Sequence, residues 1–134
     1  MVDIFTKHPG NPVLTANSNQ FRDPKVFRYE NTWVMVLAYA QAFTIGIFTS
    51  SDLKIWTHAS NFTHAGLLGL QYECPNLVGI PVAGSSETMY VLAISINPEA
   101  PLGGSITQYF PGRTNGTHFV PVDGAARIPD FGKG

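Results

Sequence analysis

The sequence predicts an all-β fold of the β-propeller kind, with about two blades present in its 134 residues. Three observations lead there. Short runs rich in Val, Ile, Phe and Tyr follow the two-residue period of strands. The 13 glycines and 10 prolines break those runs at turn spacing. One order of four strands then occurs twice, with matching positions offset by 51 to 56 residues. On pattern alone, a β-sandwich of two similar hairpin pairs is the alternative.

The elements follow in chain order. Residues 1–20 form a leading arm that contains NPVLTA. The first blade spans 21–60. It opens with a strand at 24–29, closed by the turn at Glu30-Asn31. TWVMVLAYA, residues 32–40, is the second strand. Trp33, Met35, Leu37 and Tyr39 point one way, and Val34, Val36, Ala38 and Ala40 point the other. Both faces are apolar, so the strand needs cover on both sides, and Trp33 is expected in a core. FTIGIFT at 43–49 is the third strand. A turn at 50–54 and a short strand at 55–58 complete the meander. The next blade spans 70–123, with strands at 75–80, 89–96, 105–110 and 117–122. Its turns fall at 84–87 and 112–116, and a Pro/Gly-rich loop at 97–104. Residues 124–134 are expected to start a further blade.

Composition excludes several classes. Charged residues are 13% of the chain and the formal net charge is −1, without a basic stripe, so neither nucleic acid nor an anionic membrane is an expected partner. No run is long and apolar enough to span a bilayer as a helix. No cationic segment followed by an apolar one marks a signal peptide near residue 1. Cys74 is the only cysteine, which leaves no internal disulfide; it is expected to be a buried, inert thiol. The four histidines lack metal-ligand spacing, so neither a metal nor a cofactor is expected. Asn61 and Asn115 begin two glycosylation sequons, weak pointers to secretion.

The chemistry-bearing residues sit where the two blades begin. Aligning Pro24 with Pro75 places Arg22 opposite Glu73 and Asp23 opposite Cys74. In a propeller the first strand of each blade lines the central channel. Arg22 and Glu73 then stand side by side at its mouth, where a guanidinium can pair with and orient a carboxylate. Asp23 faces the other way along an ideal strand and reaches the same place only if the strand entry is bent, which Pro24 makes plausible. Two acids and an arginine suit sugar chemistry; an ion pair that merely closes a strand end is the alternative. Gln71 and Tyr72 either touch substrate or pack the strand end. Trp56 is expected to pack the blade, His118 to be a strand residue, and Glu99 to be exposed in its loop.

FRDPKVF and YECPNLV resemble the RDP and ECP motifs of glycoside hydrolase family 32, the invertases, inulinases and fructosyltransferases. The resemblance runs on through NPVLTANSNQ, SSDLKIW, ISINPEAPLGGSITQYFPGRTNGTHF and DFGKG, from about residue 11 to 133. It implies a five-bladed propeller, followed in full-length members by a β-sandwich. It also implies retaining hydrolysis of β-fructosides such as sucrose through a fructosyl-enzyme, and secretion of the parent protein. By motif, Glu73 would be the acid/base, Asp23 would grip fructose hydroxyls and stabilise the transition state, and Arg22 would orient Glu73 and shape its protonation; Arg22 and Asp23 are the expected substrate contacts, with Gln71 and Tyr72 beside them on position alone. The family's nucleophile lies in a WMNDPNG-type motif that has no counterpart here. An FSGS-type motif is also missing. Asp3, Asp52 and Asp130 lie in other contexts. The chain is therefore expected to be a fragment of the catalytic propeller that does not hydrolyse sucrose alone. The competing expectation is a non-catalytic fructoside-binding module that associates with itself through exposed blade edges.

Overall fold

A computed structural model describes residues 4–98, 100 and 103–129. Among the described residues, eight strands form two four-stranded antiparallel meanders. The first contains β1 (Phe21–Tyr29), β2 (Thr32–Tyr39), β3 (Thr44–Ser50) and β4 (Thr57–Thr63); the second contains β5 (Tyr72–Pro81), β6 (Thr88–Ile96), β7 (Ile106–Thr114) and β8 (Phe119–Pro121). The only helix among the described residues is a 3-10 turn, Ala40–Ala42. The chain is all-β, its two sheets built like successive blades of a propeller.

The two apolar faces of β2 part as the alternation requires. Val34, Val36 and Ala38 join Ile45 and Ile47 in one core, which the second blade completes with Leu77, Leu92, Ile94, Phe110 and Phe119. Met35, Leu37 and Phe48 form a second core on the opposite face, covered by Leu14 of the leading arm with Phe21, Tyr39 and Trp56. Trp33 departs from expectation. It lies only half-buried at the strand start, where the Arg28 guanidinium covers its ring at 5.0 Å. A residue beside a turn has neighbours on one side only, so a cation supplies the remaining contact.

Some boundaries also differ. Bends at Ser51–Ile55 delay β4, which then runs to Thr63 and pairs along β3 as far as Thr44. β7 continues through Gly112 to Thr114 instead of turning at 112. A Cβ on Gly112 would sit 2.5 Å from the Val120 carbonyl and 2.5 Å from Phe119 Cζ, so the glycine serves close strand packing and not a turn. His118 lies in the turn just before β8. Within 124–129, Arg127 bridges Tyr109 through N–H···O bonds of 2.7 and 3.0 Å, on the edge of β7. Residues 130–134 and Glu99 lie outside the described residues, as does Asp3.

The blades are tied together at the far end from their entries. Tyr29 Oη donates to the Thr114 carbonyl at 3.1 Å, Ser60 Oγ to the Thr117 carbonyl at 2.6 Å, and Gly116, at φ +84°, lies against the Tyr29 ring. The outward face of the second blade carries Val78, Ile80 and Val120, exposed at 44%, 46% and 64%. That face alternates along its strands with the buried residues Leu77 and Phe119.

Candidate active site

The two blades enter their first strands in the same way. On β1, Arg22 pairs with Ala38 and Lys25 with Val36, so Asp23 and Pro24 oppose the single residue Leu37. On β5, Glu73 pairs with Ser95 and Asn76 with Ala93, so Cys74 and Pro75 oppose Ile94. Each is a β-bulge carrying a proline, which has no N–H to lose from the ladder. Asp23 and Cys74 both take the left-handed conformation, at φ 59° and 47°. Non-glycine residues there cost on the order of 1 kcal/mol or more each and occur where surrounding structure imposes them. This is the bend that Asp23 requires to turn towards its neighbours.

The two strand entries bring four predicted residues together. Arg22 Nη2 donates to Glu73 Oε1 at 3.0 Å, across the gap between blades. Asp23 Oδ2 accepts the Cys74 backbone N–H at 3.0 Å and lies 3.9 Å from Arg22 Nε. Gln71 Nε2 also donates to Glu73 Oε1, at 3.0 Å. The side chains of Arg22, Asp23 and Glu73 are 28%, 31% and 23% exposed, which leaves them open on one side. Farther along β1 and β5 an open groove of about 400 Å³ continues between the strands, lined by Lys25, Phe27, Arg28, Asn76, Gly79 and Tyr90.

Two expectations need correction. Tyr72 is fully buried, with its ring against Phe43 and its hydroxyl donating to the Ala65 carbonyl, so it packs the core and does not face the site. Burial pushes its pKa up to about 12. Cys74 is exposed, not buried, because the bulge turns it out of the strand's alternation. Its thiol is nevertheless held above its ordinary pKa, by local desolvation first and then by the charges of Asp23 and Glu73. Trp56 packs the second core as expected and donates its Nε1–H to the Leu53 carbonyl.

Two residues went unnoticed in the sequence. Gln20 accepts a hydrogen bond from Arg22 Nη1. The signal was present, since QFRDP and QYECP align Gln20 with Gln71. Gln108, fully buried, accepts from the Leu67 N–H at 2.8 Å and donates to the Leu67 carbonyl at 2.6 Å, clamping the connector that leads into Gln71 and Glu73. Nothing in a strand that reads ITQYF marks that clamp.

Residues 3–134 match the model for the glycosyl hydrolases family 32 N-terminal domain. The chain belongs to glycoside hydrolase family 32. It is 55% identical over 131 residues to an invertase of Schizosaccharomyces pombe, and 52% identical to an extracellular exo-inulinase of Meyerozyma guilliermondii. These alignments cover 96% of this chain but 22% and 25% of the relatives, so the chain spans about a quarter of their length. Among solved structures, the fructofuranosidase of Schwanniomyces occidentalis complexed with fructose superposes with a TM-score of 0.92 at 49% identity, over 96% of this chain and 26% of that one. An exo-inulinase from Aspergillus awamori gives 0.83 at 34% identity, over 91% and 27%.

Proposed function

We propose that this chain is the part of a retaining β-fructofuranosidase that carries the acid/base half of the active site. The observation that carries the reading is the inter-blade cluster in which Arg22 holds Glu73 while the Cys74 N–H holds Asp23. Glu73 protonates the departing glycosyl oxygen and then takes a proton from water. Asp23 has one carboxylate oxygen on the Cys74 amide and offers the other to fructose hydroxyls, where it stabilises charge in the oxocarbenium-like transition state. Arg22 orients Glu73. The solved relatives with fructose and fructosyl-erythritol bound support a fructoside as ligand.

The nucleophile is a carboxylate supplied from outside these residues. Without it the first step, attack at the anomeric carbon, has no agent. The chain alone is therefore inactive on sucrose. Measurable fructose release by the pure chain, abolished in Glu73→Gln, refutes this. The exposed outward face of the second blade fits contact with a further blade, begun by residues from 124 onward. A non-catalytic, self-associating module is the second reading, favoured by that same face. An upstream reading frame encoding a WMNDPNG-like motif decides for the enzyme; its absence, with oligomers in light scattering, decides for the module. Two of the relatives are named extracellular, and we place the parent enzyme outside the cell.

A further inference from the structure

Two donors converge on one oxygen of Glu73. Arg22 Nη2 and Gln71 Nε2 both reach Oε1 at 3.0 Å, and Oε2 has no hydrogen-bond partner among the described residues. An oxygen that already accepts two N–H groups, one of them cationic, has little lone-pair density left for a proton. Gln20 acts one step further out. Its Oε1 accepts from Arg22 Nη1, which fixes the guanidinium plane so that Nη2 faces Glu73. The Gln20 backbone is itself anchored, its N–H donating to Ser18 Oγ and its carbonyl accepting from Ala40 N. Gln20 and Gln71 occupy equivalent positions, two residues before the reactive position of each blade.

We propose that Gln20 and Gln71 are positioning residues that commit Oε1 of Glu73 to the protein, so that Oε2 is the oxygen that exchanges protons with substrate. This rests on the acid/base reading above. In the first step the external carboxylate bonds to the anomeric carbon as the glycosidic C–O bond breaks; the leaving oxygen keeps that electron pair and takes the proton from Oε2. In the second step the water oxygen bonds to the anomeric carbon as the bond to the carboxylate breaks, the carboxylate keeping the electron pair, and a water proton returns to Oε2. Neither glutamine exchanges a proton.

The geometry is tested on this chain by following side-chain N–H signals in the 15N-labelled protein. In Glu73→Gln, the new carbonyl takes the place of Oε1. Its NH2 group then exchanges with water as fast as that of the exposed Gln41. In Gln20→Met, the separate Nη signals of Arg22 merge as the guanidinium is freed. A protected NH2 in Glu73→Gln, or Nη signals unchanged in Gln20→Met, overturns the proposal. The chemical role is read in the chain joined to a nucleophile-bearing preceding segment. Gln20→Met and Gln71→Met should lower kcat/KM on sucrose, which reports the steps up to departure of the leaving group, about tenfold, a fraction of a full acid/base contribution. An aryl fructoside, whose leaving group needs no proton, should change far less. Equal losses on both substrates make the glutamines merely structural and refute the proposal. If Glu73→Gln itself depresses both substrates equally, the acid/base reading is what has failed.

Discussion

Gln108→Met should destabilise the chain well beyond what a surface glutamine would. Methionine keeps the length and most of the volume, so no cavity opens. What disappears is the pair of hydrogen bonds to Leu67, at 2.8 Å to its N–H and 2.6 Å to its carbonyl. An orphaned buried backbone group costs about 1–3 kcal/mol. Leu67 is only half-buried, so water recovers part of this, and the pair should cost about 2–4 kcal/mol. For a chain of this length that corresponds to a Tm lowered by roughly 6–20 °C. Thermal unfolding by circular dichroism, with denaturant midpoints in parallel, reads it directly. Gln108→Glu sharpens the test. Its carboxylate still accepts from the Leu67 N–H but faces the Leu67 carbonyl unless it is protonated. The folded state therefore raises its pKa, and the variant should approach the parent's stability in acid and lose it as pH rises above the ordinary glutamate value. A loss under about 1 kcal/mol in Gln108→Met would refute the clamp.

Further outcomes follow from other contacts. Tyr72, with its pKa raised to about 12 by burial, favours the folded state fully below the ordinary tyrosine value near 10 and less as pH rises from there; alkaline unfolding should track tyrosinate absorbance, and Tyr72→Phe should reduce that pH dependence. Gly112→Ala forces a Cβ to 2.5 Å from the Val120 carbonyl, so β8 should detach or shift, at a cost of about 1–3 kcal/mol; unchanged stability would mean that β8 is not fixed there. Asp23→Asn removes a charge that holds the Cys74 thiol protonated, so the thiol should react several-fold faster with Ellman's reagent at neutral pH; an unchanged rate would dissociate the two residues. Leu92→Ala, at 0% exposure between the blades, should cost about 2–5 kcal/mol, measured by denaturant unfolding.

Local chemistry carried most of the architecture. A strand apolar on both faces, such as TWVMVLAYA, can only lie between two covers, and the structure provides them with Leu77, Leu92 and Ile94 on one side and Leu14 and Phe21 on the other. Prolines at positions 24 and 75 marked the blade entries, and the offset between them matched Arg22 to Glu73 before any contact was visible. The strand ends were less legible. Gly112 reads as a turn by propensity yet lies inside β7, because close approach of Phe119 requires it.

QYECPNLV shows where sequence and tertiary structure divide the work. Alternation alone puts Tyr72 and Leu77, five residues apart, on opposite faces; the extra residue of the bulge at Cys74-Pro75 shifts the register so that both are buried. Alternation could not determine that Cys74 turns outwards or that Asp23 turns towards it, since each depends on a bulge whose left-handed residue is imposed by pairing with β6 or β2. The partner of Glu73 is 51 residues away on another blade, and only the packing of the two blades brings Arg22 Nη2 to within 3.0 Å of it. Residue types and their repeat set which side chains can do this chemistry; the docking of two bulged strand entries decides that they meet.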